Sequence, residues 1–183
     1  MSALLRFEQV SLRRGGRLLF EDLDFELGPG MSIQVSGPNG SGKSSLIRLA
    51  AGLLRAERGS VERSALALAD DNLALDRELP LKRALHFWGE APDEAMEALG
   101  IAHLAPVPVR LLSTGQAKRA TLARVAASQA RLWLLDEPLN ALDTAGAAQL
   151  GELIGAHLDA GGAVLAASHQ PLPGTWPQLA LGQ

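Results

Sequence analysis

Residues 37–44 read GPNGSGKS, and no other stretch restricts the fold of this chain as strongly. The pattern is G-x-x-x-x-G-K-[ST]. Its glycines let backbone N–H groups curl around phosphate oxygens, its lysine reaches the β- and γ-phosphates, and its serine hydroxyl can ligate Mg²⁺. Such a loop needs a strand before it and a helix after it. MSIQVSG, residues 31–37, reads as a short buried strand, and KSSLIRLAAGLL, residues 43–54, has helical spacing with Leu46, Leu49, Ala50 and Leu53 on one apolar face. The candidate nucleotide-binding residues are therefore Gly37, Pro38, Asn39, Gly40, Ser41, Gly42, Lys43, Ser44 and Ser45, with Ser44 also a candidate metal ligand and Lys43 a candidate catalytic cation.

The rest of the chain supplies the alternation of strand and helix that this loop requires. LLRFEQVSLRR and RLLFEDLDFEL alternate apolar and polar residues, as half-buried antiparallel strands do. PLKRALHFWG and PDEAMEALGIAHL read as helices opened by proline, and PVPVR as extended chain. A helix is expected from Gln116 to about Ala130, and another over DTAGAAQLGELIGAHLDAGG, with Asp143 as N-cap, Leu150, Leu153, Ile154 and Leu158 on one stripe, and Gly-Gly as the stop. RLWLLDEP and AVLAASH are short apolar runs with polar ends, the pattern of central parallel strands. The expected fold is α/β: a mostly parallel sheet with helices on both faces, an N-terminal antiparallel β layer, and a small helical subdomain at about 68–128 inserted in a single domain spanning 1–183.

Chemistry is concentrated at strand ends. Asp136, at the end of LWLLDEP, can enter the Mg²⁺ shell, and Glu137, one residue on, can polarise an attacking water. Adjacent acids after a strand also cap turns, but beside a phosphate loop the metal and general-base reading is favoured. His169 closes the last apolar strand, at the carboxyl end where ligands sit in parallel sheets. LLSTGQAKR, residues 111–119, places Ser113 before a helix, a second start suited to an anion, although an ordinary N-cap explains a serine there too.

Bulk properties narrow the classes. With 183 residues and 47% hydrophobic content the chain can bury a sizeable core. A net charge of −3 makes no electrostatic case for nucleic acid. There are no cysteines, which excludes disulfides and thiolate metal sites. The N-terminal residues lack a long apolar signal stretch, and no run of about 18 apolar residues spans a membrane. The expectation is a cytosolic protein, or one held at a membrane by another chain.

Phosphate loop, LSTGQ, LLDEP, LNALD and His169, in that order over nearly the whole chain, resemble the ATP-binding cassette (ABC) family. LSTGQ is close to the family signature and is its most specific element. The resemblance implies ATP and Mg²⁺ as cofactors and a head-to-tail dimer of two copies. In it Ser113, Gly115 and Gln116 would close on the γ-phosphate of ATP held by the partner's phosphate loop. LNALD, with Asp143, resembles the family's dimer-contact loop. Within the family, GPNGSGKSSLIRLAAGLLR, LLSTGQAKRATLARV, LWLLDEPLNALDTAG and GGAVLAASHQPLP are similar to the branch serving cytochrome c biogenesis as a haem exporter ATPase. That implies integral membrane partners of a haem-handling cytochrome c maturation complex, no nucleic acid, and a place on the cytoplasmic face of the inner membrane. An ABC exporter ATPase for another substrate, or a soluble ABC protein regulating a non-transport process, is the alternative.

Two positions depart from the family. Where its glutamine contacts Mg²⁺ and relays the nucleotide state, this chain has Asn72 or Asp71. Where an aromatic ring stacks on adenine, Arg14 stands, and the chain has no tyrosine; a guanidinium plane also stacks on a base. Phe87 and Trp88 are expected to pack inside the helical subdomain rather than line a groove for a membrane partner, and Asp70, Asp71 and Asp76 to form a solvated loop face.

Overall fold

The computed structural model describes residues 3–182; residues 1, 2 and 183, the ends of the expected domain, lie outside the described residues. The chain begins with a long antiparallel pair, β1 (Leu5–Arg14) and β2 (Arg17–Leu27). β3 (Ser32–Ser36) leads into the phosphate loop and α1 (Lys43–Ala50). β4 (Arg58–Arg63) returns antiparallel to β1, and β5 (Leu66–Ala69) then enters the second sheet. α2 (Leu81–His86), α3 (Pro92–Ala98) and α4 (Thr114–Ala127) follow. The chain closes with β6 (Leu132–Asp136), α5 (Thr144–Asp159), β7 (Ala163–Ala167) and β8 (Gln178–Ala180). The antiparallel sheet has the order β2-β1-β4 and the parallel sheet β5-β6-β7-β3-β8.

The parallel sheet divides the interior in two. On β6, Leu132 and Leu134 face the cluster containing α1 and β1, while Trp133 and Leu135 face the cluster built from α2 to α5. A strand buried on both faces has no polar side, which is why LWLL and AVLAA read as unbroken apolar runs. Leu46, Ile47 and Leu49 of α1 are fully buried against the first cluster. Within the antiparallel sheet, the cross-strand pair Phe7 of β1 and Phe25 of β2 stack with ring centroids 4.5 Å apart. Among the described residues no helix is long and apolar enough to cross a membrane.

Several elements end sooner than their periodicity suggests. α1 stops at Ala50, because Gly52 turns left-handed (φ +76°) and Leu53 N–H reaches back to Arg48 O at 2.8 Å. These bonds satisfy the last carbonyls and swing Leu53 off the apolar face, leaving it 61% exposed rather than in the core. The helix of 92–104 breaks at Gly100 (φ +65°) and resumes as a 3-10 turn, Ala102–Leu104. PVPVR holds a second such turn, Val109–Leu111, instead of being extended throughout. Leu68 and Ala69, at the near edge of the expected helical insertion, belong to β5. α2, α3 and α4 pack on one another beside the sheet.

Candidate functional site

The phosphate loop takes its shape from positive φ angles that only glycine adopts freely. Gly37 (φ +144°) has no room for a side chain, since a Cβ would lie 2.4 Å from Leu181 O and 2.8 Å from Ser41 Oγ. Gly42 (φ +105°) caps α1 without any side-chain hydrogen bond, so the helix's first N–H groups stay open for an anion. Lys43 is buried, and its ammonium donates to Gly37 O at 2.9 Å and Pro38 O at 3.2 Å, folded along the loop it serves. Ser41 is turned inward: its N–H donates to Pro38 O and its buried hydroxyl faces Gly37, so its side chain is not presented to a phosphate. The loop borders a cleft of about 330 Å³ lined by Asn39, Gly40, Lys43, Ser44, Ser45 and Glu137, together with Arg14 and Leu19.

Arg14 thus reaches the cleft from the end of β1, its guanidinium donating to Ser45 Oγ at 3.4 Å. Leu19, on β2, packs beside Gly42 and lines the same cleft. Nothing in the sequence marks Leu19 as a cleft residue, since an apolar residue in an alternating strand signals only packing.

Ser44 Oγ donates to Asp136 Oδ1 at 3.0 Å, which joins the loop to the end of β6. Asp136 is 8% exposed, and burial pushes its carboxyl above the usual carboxylate range, only partly offset by the Ser44 hydrogen bond; the charges of Asp71 and Glu137 add to the rise. A hydroxyl and one carboxylate, both hard oxygen donors beside a phosphate loop, suit Mg²⁺, which takes few protein ligands and keeps phosphate oxygens and water for the rest. Among the described residues no group of three or more His, Asp or Glu side chains is set for a metal, as a site of this kind requires none.

Glu137 has φ +45°, an uncommon conformation for a residue with a side chain, held by its N–H bond to Ala167 O at 2.8 Å. This turn brings Glu137 into the phosphate cleft one residue after the strand ends. Its Oε2 lies 2.8 Å from His169 Nδ1 and accepts from His169 N–H at 3.4 Å, so Oε1 stays free for a water. The structure therefore brings together residues distant in sequence: the phosphate loop, Asp136, Glu137 and His169.

Ser113, Gly115 and Gln116 lie apart from this group. Ser113 caps α4 through a reciprocal pair: its Oγ accepts from Gln116 N–H at 3.4 Å, and Gln116 Oε1 accepts from Ser113 N–H at 2.9 Å. The capping bond uses a lone pair of the Ser113 hydroxyl and leaves its proton available to an anion. A cavity of about 340 Å³ borders these residues together with Ile101, His103, Arg119 and Asp143. It shares no lining residue with the phosphate cleft.

Arg119 ties the neighbourhood of this cavity together. It donates to Leu99 O at 2.9 Å, Gln149 Oε1 at 2.6 Å and Asp143 Oδ1 at 2.6 Å. Asp143 caps α5 by accepting from Gly146 N–H at 2.8 Å, and that bond, then Arg119, holds its carboxyl below the usual range.

Asp70 and Asp71 do more than face solvent. They line a cavity of about 200 Å³ with Thr114, Lys118, Thr121 and Asn140. Burial lowers the Lys118 ammonium, and Asp71, Asp136, Glu137 and Asp70 pull it back up. Lys118 Nζ also donates to Asp136 O at 3.5 Å. Nothing in TGQAKRATLARVAA sets Lys118 apart from Arg119 and Arg124 of the same helix. Of the two candidates for the family's glutamine, Asp71 shares this cavity, whereas Asn72 is exposed and bonded through its N–H to Asp70 Oδ1 at 2.9 Å. Asp76 is exposed and caps Glu78 N–H at 3.0 Å. Phe87 is 84% exposed, contrary to the expectation that it packs internally, because α2 ends at His86 and the chain turns away. Trp88 is half-covered by the Arg124 guanidinium, 4.7 Å from its ring centroid.

This fold and this site define a P-loop ATPase of the ABC cassette class. The family model described as ABC transporter matches residues 20–140. The cytochrome c biogenesis ATP-binding export protein of Sphingopyxis alaskensis is 52% identical over 177 residues, covering 92% of this chain and 91% of that protein. The same-named protein of Novosphingobium aromaticivorans is 54% identical over 166 residues, covering 89% and 87%. A solved ATP-binding subunit of an ABC transporter superposes with a TM-score of 0.81 at 21% identity, over 91% of this chain and 79% of that one, a likeness of fold. The chain belongs to the family of cytochrome c biogenesis ATP-binding export proteins, the ABC-type ATPases of that system.

Proposed function

We propose that this chain is the ATP-hydrolysing subunit of an ABC transporter complex that powers haem export or delivery for c-type cytochrome biogenesis, and that it works as a head-to-tail dimer. The observation that carries the dimer is the separation of two anion-suited cavities within one chain. One has a phosphate loop; the other has the N-terminus of the 14-residue α4 and no phosphate loop. Facing copies would complete each other's site, with Ser113, Gly115 and Gln116 of one chain closing on the γ-phosphate held by the other.

Within each site the geometry supports the following roles. Free backbone N–H groups of the phosphate loop and the Lys43 ammonium hold the phosphates, and Arg14 with Leu19 supports the base. Ser44 and Asp136 hold Mg²⁺, which offsets phosphate charge when bound. Glu137 accepts a proton through Oε1 from the water whose oxygen bonds to the γ-phosphorus, while the bond from that phosphorus to the bridging oxygen breaks and leaves ADP. His169 fixes the carboxylate through Oε2. Phe87 and Trp88, just after α2, present an apolar edge to an integral membrane subunit, which would keep the protein on the cytoplasmic face of the inner membrane. The net charge of −3 favours such partners over nucleic acid.

Affinity purification of tagged protein from its own membranes in mild detergent, with mass spectrometry of bound chains, tests the assignment. Multi-spanning partners recovered together with haem are expected. A different permease would overturn the cargo, and soluble partners alone would overturn the transporter role.

A further inference from the structure

Gln34 is a polar side chain in the middle of the parallel sheet, 4% exposed, on β3 between β7 and β8. A buried amide is tolerated only when its polar groups are bonded, and here they are. Nε2 donates to Gln170 O at 2.8 Å. Oε1 accepts from Leu172 N–H and from Gln178 Nε2, both at 3.3 Å. Its backbone N–H donates to Pro177 O at 2.9 Å.

All of these partners belong to residues 168–178, the segment that leaves β7, carries His169 and returns as β8. At its start, Ser168 N–H donates to Val35 O at 3.2 Å, and Ser168 Oγ accepts from Gln170 N–H at 3.0 Å. At its far end, Leu181 N–H donates to Ser36 O at 2.8 Å, and Leu181 O closes the back of the phosphate loop at Gly37. His169 itself is exposed and touches the site only through Glu137. Its Nε2 lies 3.3 Å from Gln170 Nε2, and the backbone that follows it is bonded to Gln34 at Gln170 and Leu172.

We propose that Gln34 is a positioning residue for hydrolysis: its side-chain amide pegs the Gln170–Leu172 backbone and so holds His169 against Glu137. This rests on the reading of His169 as part of the hydrolytic site. β3 thereby serves both ends of the reaction, carrying the phosphate loop at its terminus and the peg for His169 at its centre.

The test is Gln34→Met, which keeps length and apolar packing and removes the amide. A small displacement of a catalytic group costs about 10-fold to 100-fold in rate; that loss is expected in kcat, with KM for ATP changed less than about twofold because the phosphate loop keeps its own bonds. In a His169→Ala background, Gln34→Met is expected to lower kcat no further. Amide hydrogen exchange at His169 and Leu172 is expected to accelerate in Gln34→Met without nucleotide. If Gln34→Met does not fold, Gln34→Asn keeps an amide too short to reach Gln170 O and serves in its place. Equal losses in the wild-type and His169→Ala backgrounds, or unchanged exchange at His169 and Leu172, overturn the proposal. A His169→Ala enzyme with full activity would overturn the role of His169 instead, and the exchange measurement would still decide whether Gln34 holds the segment.

Discussion

Replacing Ser113 by aspartate separates its role as helix cap from its proposed contact with a partner's γ-phosphate. Ser113 Oγ accepts one hydrogen bond, from Gln116 N–H, and aspartate makes the same bond about as well. A carboxylate at the N-terminus of α4 also meets the helix dipole favourably, by about 0.3–1 kcal/mol. The isolated Ser113→Asp chain is therefore expected to melt at or slightly above the wild-type temperature. Ser113→Ala loses the cap, about 1 kcal/mol, which lowers Tm by about 2–4 °C in a domain of this size. Dimerisation responds in the opposite order. A negative charge about 4 Å from one unit of phosphate charge, at an effective dielectric of about 20, costs about 4 kcal/mol, or roughly 10³-fold in affinity. The assay is sedimentation or light scattering with ATP, in a Glu137→Gln background that prevents turnover, with melting curves on the same samples. Ser113→Asn, which caps without charge, is the control and is expected to dimerise far better than Ser113→Asp. A Ser113→Asp protein that dimerises as well as its parent would refute the contact with the partner's phosphate.

Three other substitutions follow from the same geometry. Glu137→Gln keeps the side-chain shape but cannot take a proton, so hydrolysis is expected to fall by about 10²–10⁴-fold while nucleotide binding, measured by equilibrium titration, persists. Asp136→Asn removes a carboxyl that burial holds above its usual range. Because the raised value penalises the ionised folded form, wild-type stability falls as pH rises through it, and nucleotide-free Asp136→Asn is expected to melt higher at neutral pH, by about 2–4 °C for each kcal/mol relieved, while Mg²⁺-dependent turnover is lost. Asp143 has the opposite sign. Its depressed carboxyl contributes stability that is complete above the ordinary aspartate value of about 3.9 and disappears as pH falls through the folded value, so the melting difference between wild type and Asp143→Asn is expected to shrink in acid and hold constant from about pH 6 upward.

The sequence and the structure agree most closely where local chemistry decides the outcome. GPNGSGKS allows few backbone paths, and LWLLD and AVLAA lack a polar side, so the phosphate loop and the central strands were readable residue by residue. The N-cap at Asp143 was equally plain, since its carboxylate binds the N–H of Gly146, three residues on. What escaped was set by distant partners. β4 is exposed along most of its length and owes its conformation to pairing with β1, and the three-residue β8 exists because β3 offers it an edge. Leu53 was expected in the core because helical periodicity carries no information about where a left-handed glycine ends the helix. The environment of Lys118 depends on Asp70, Asp71, Asp136 and Glu137, which lie on separate segments, so no window of sequence displays it. Gln34 was passed over for the same reason, since its bonds reach across 136 to 144 positions.

An ATP site shared between two copies is tested most directly by mixing two inactive variants. Lys43→Ala damages a phosphate loop, and Ser113→Asp damages the segment proposed to face one. In a head-to-tail dimer of the two variants both lesions fall in the same site, and the other site is intact. Each variant alone is expected to be nearly inactive, and an equal mixture, with one of two sites working in each mixed dimer, is expected to recover activity well above either component, up to about half of the wild-type ATPase rate. A mixture no more active than its components, or full activity of Ser113→Asp alone, would contradict the shared site.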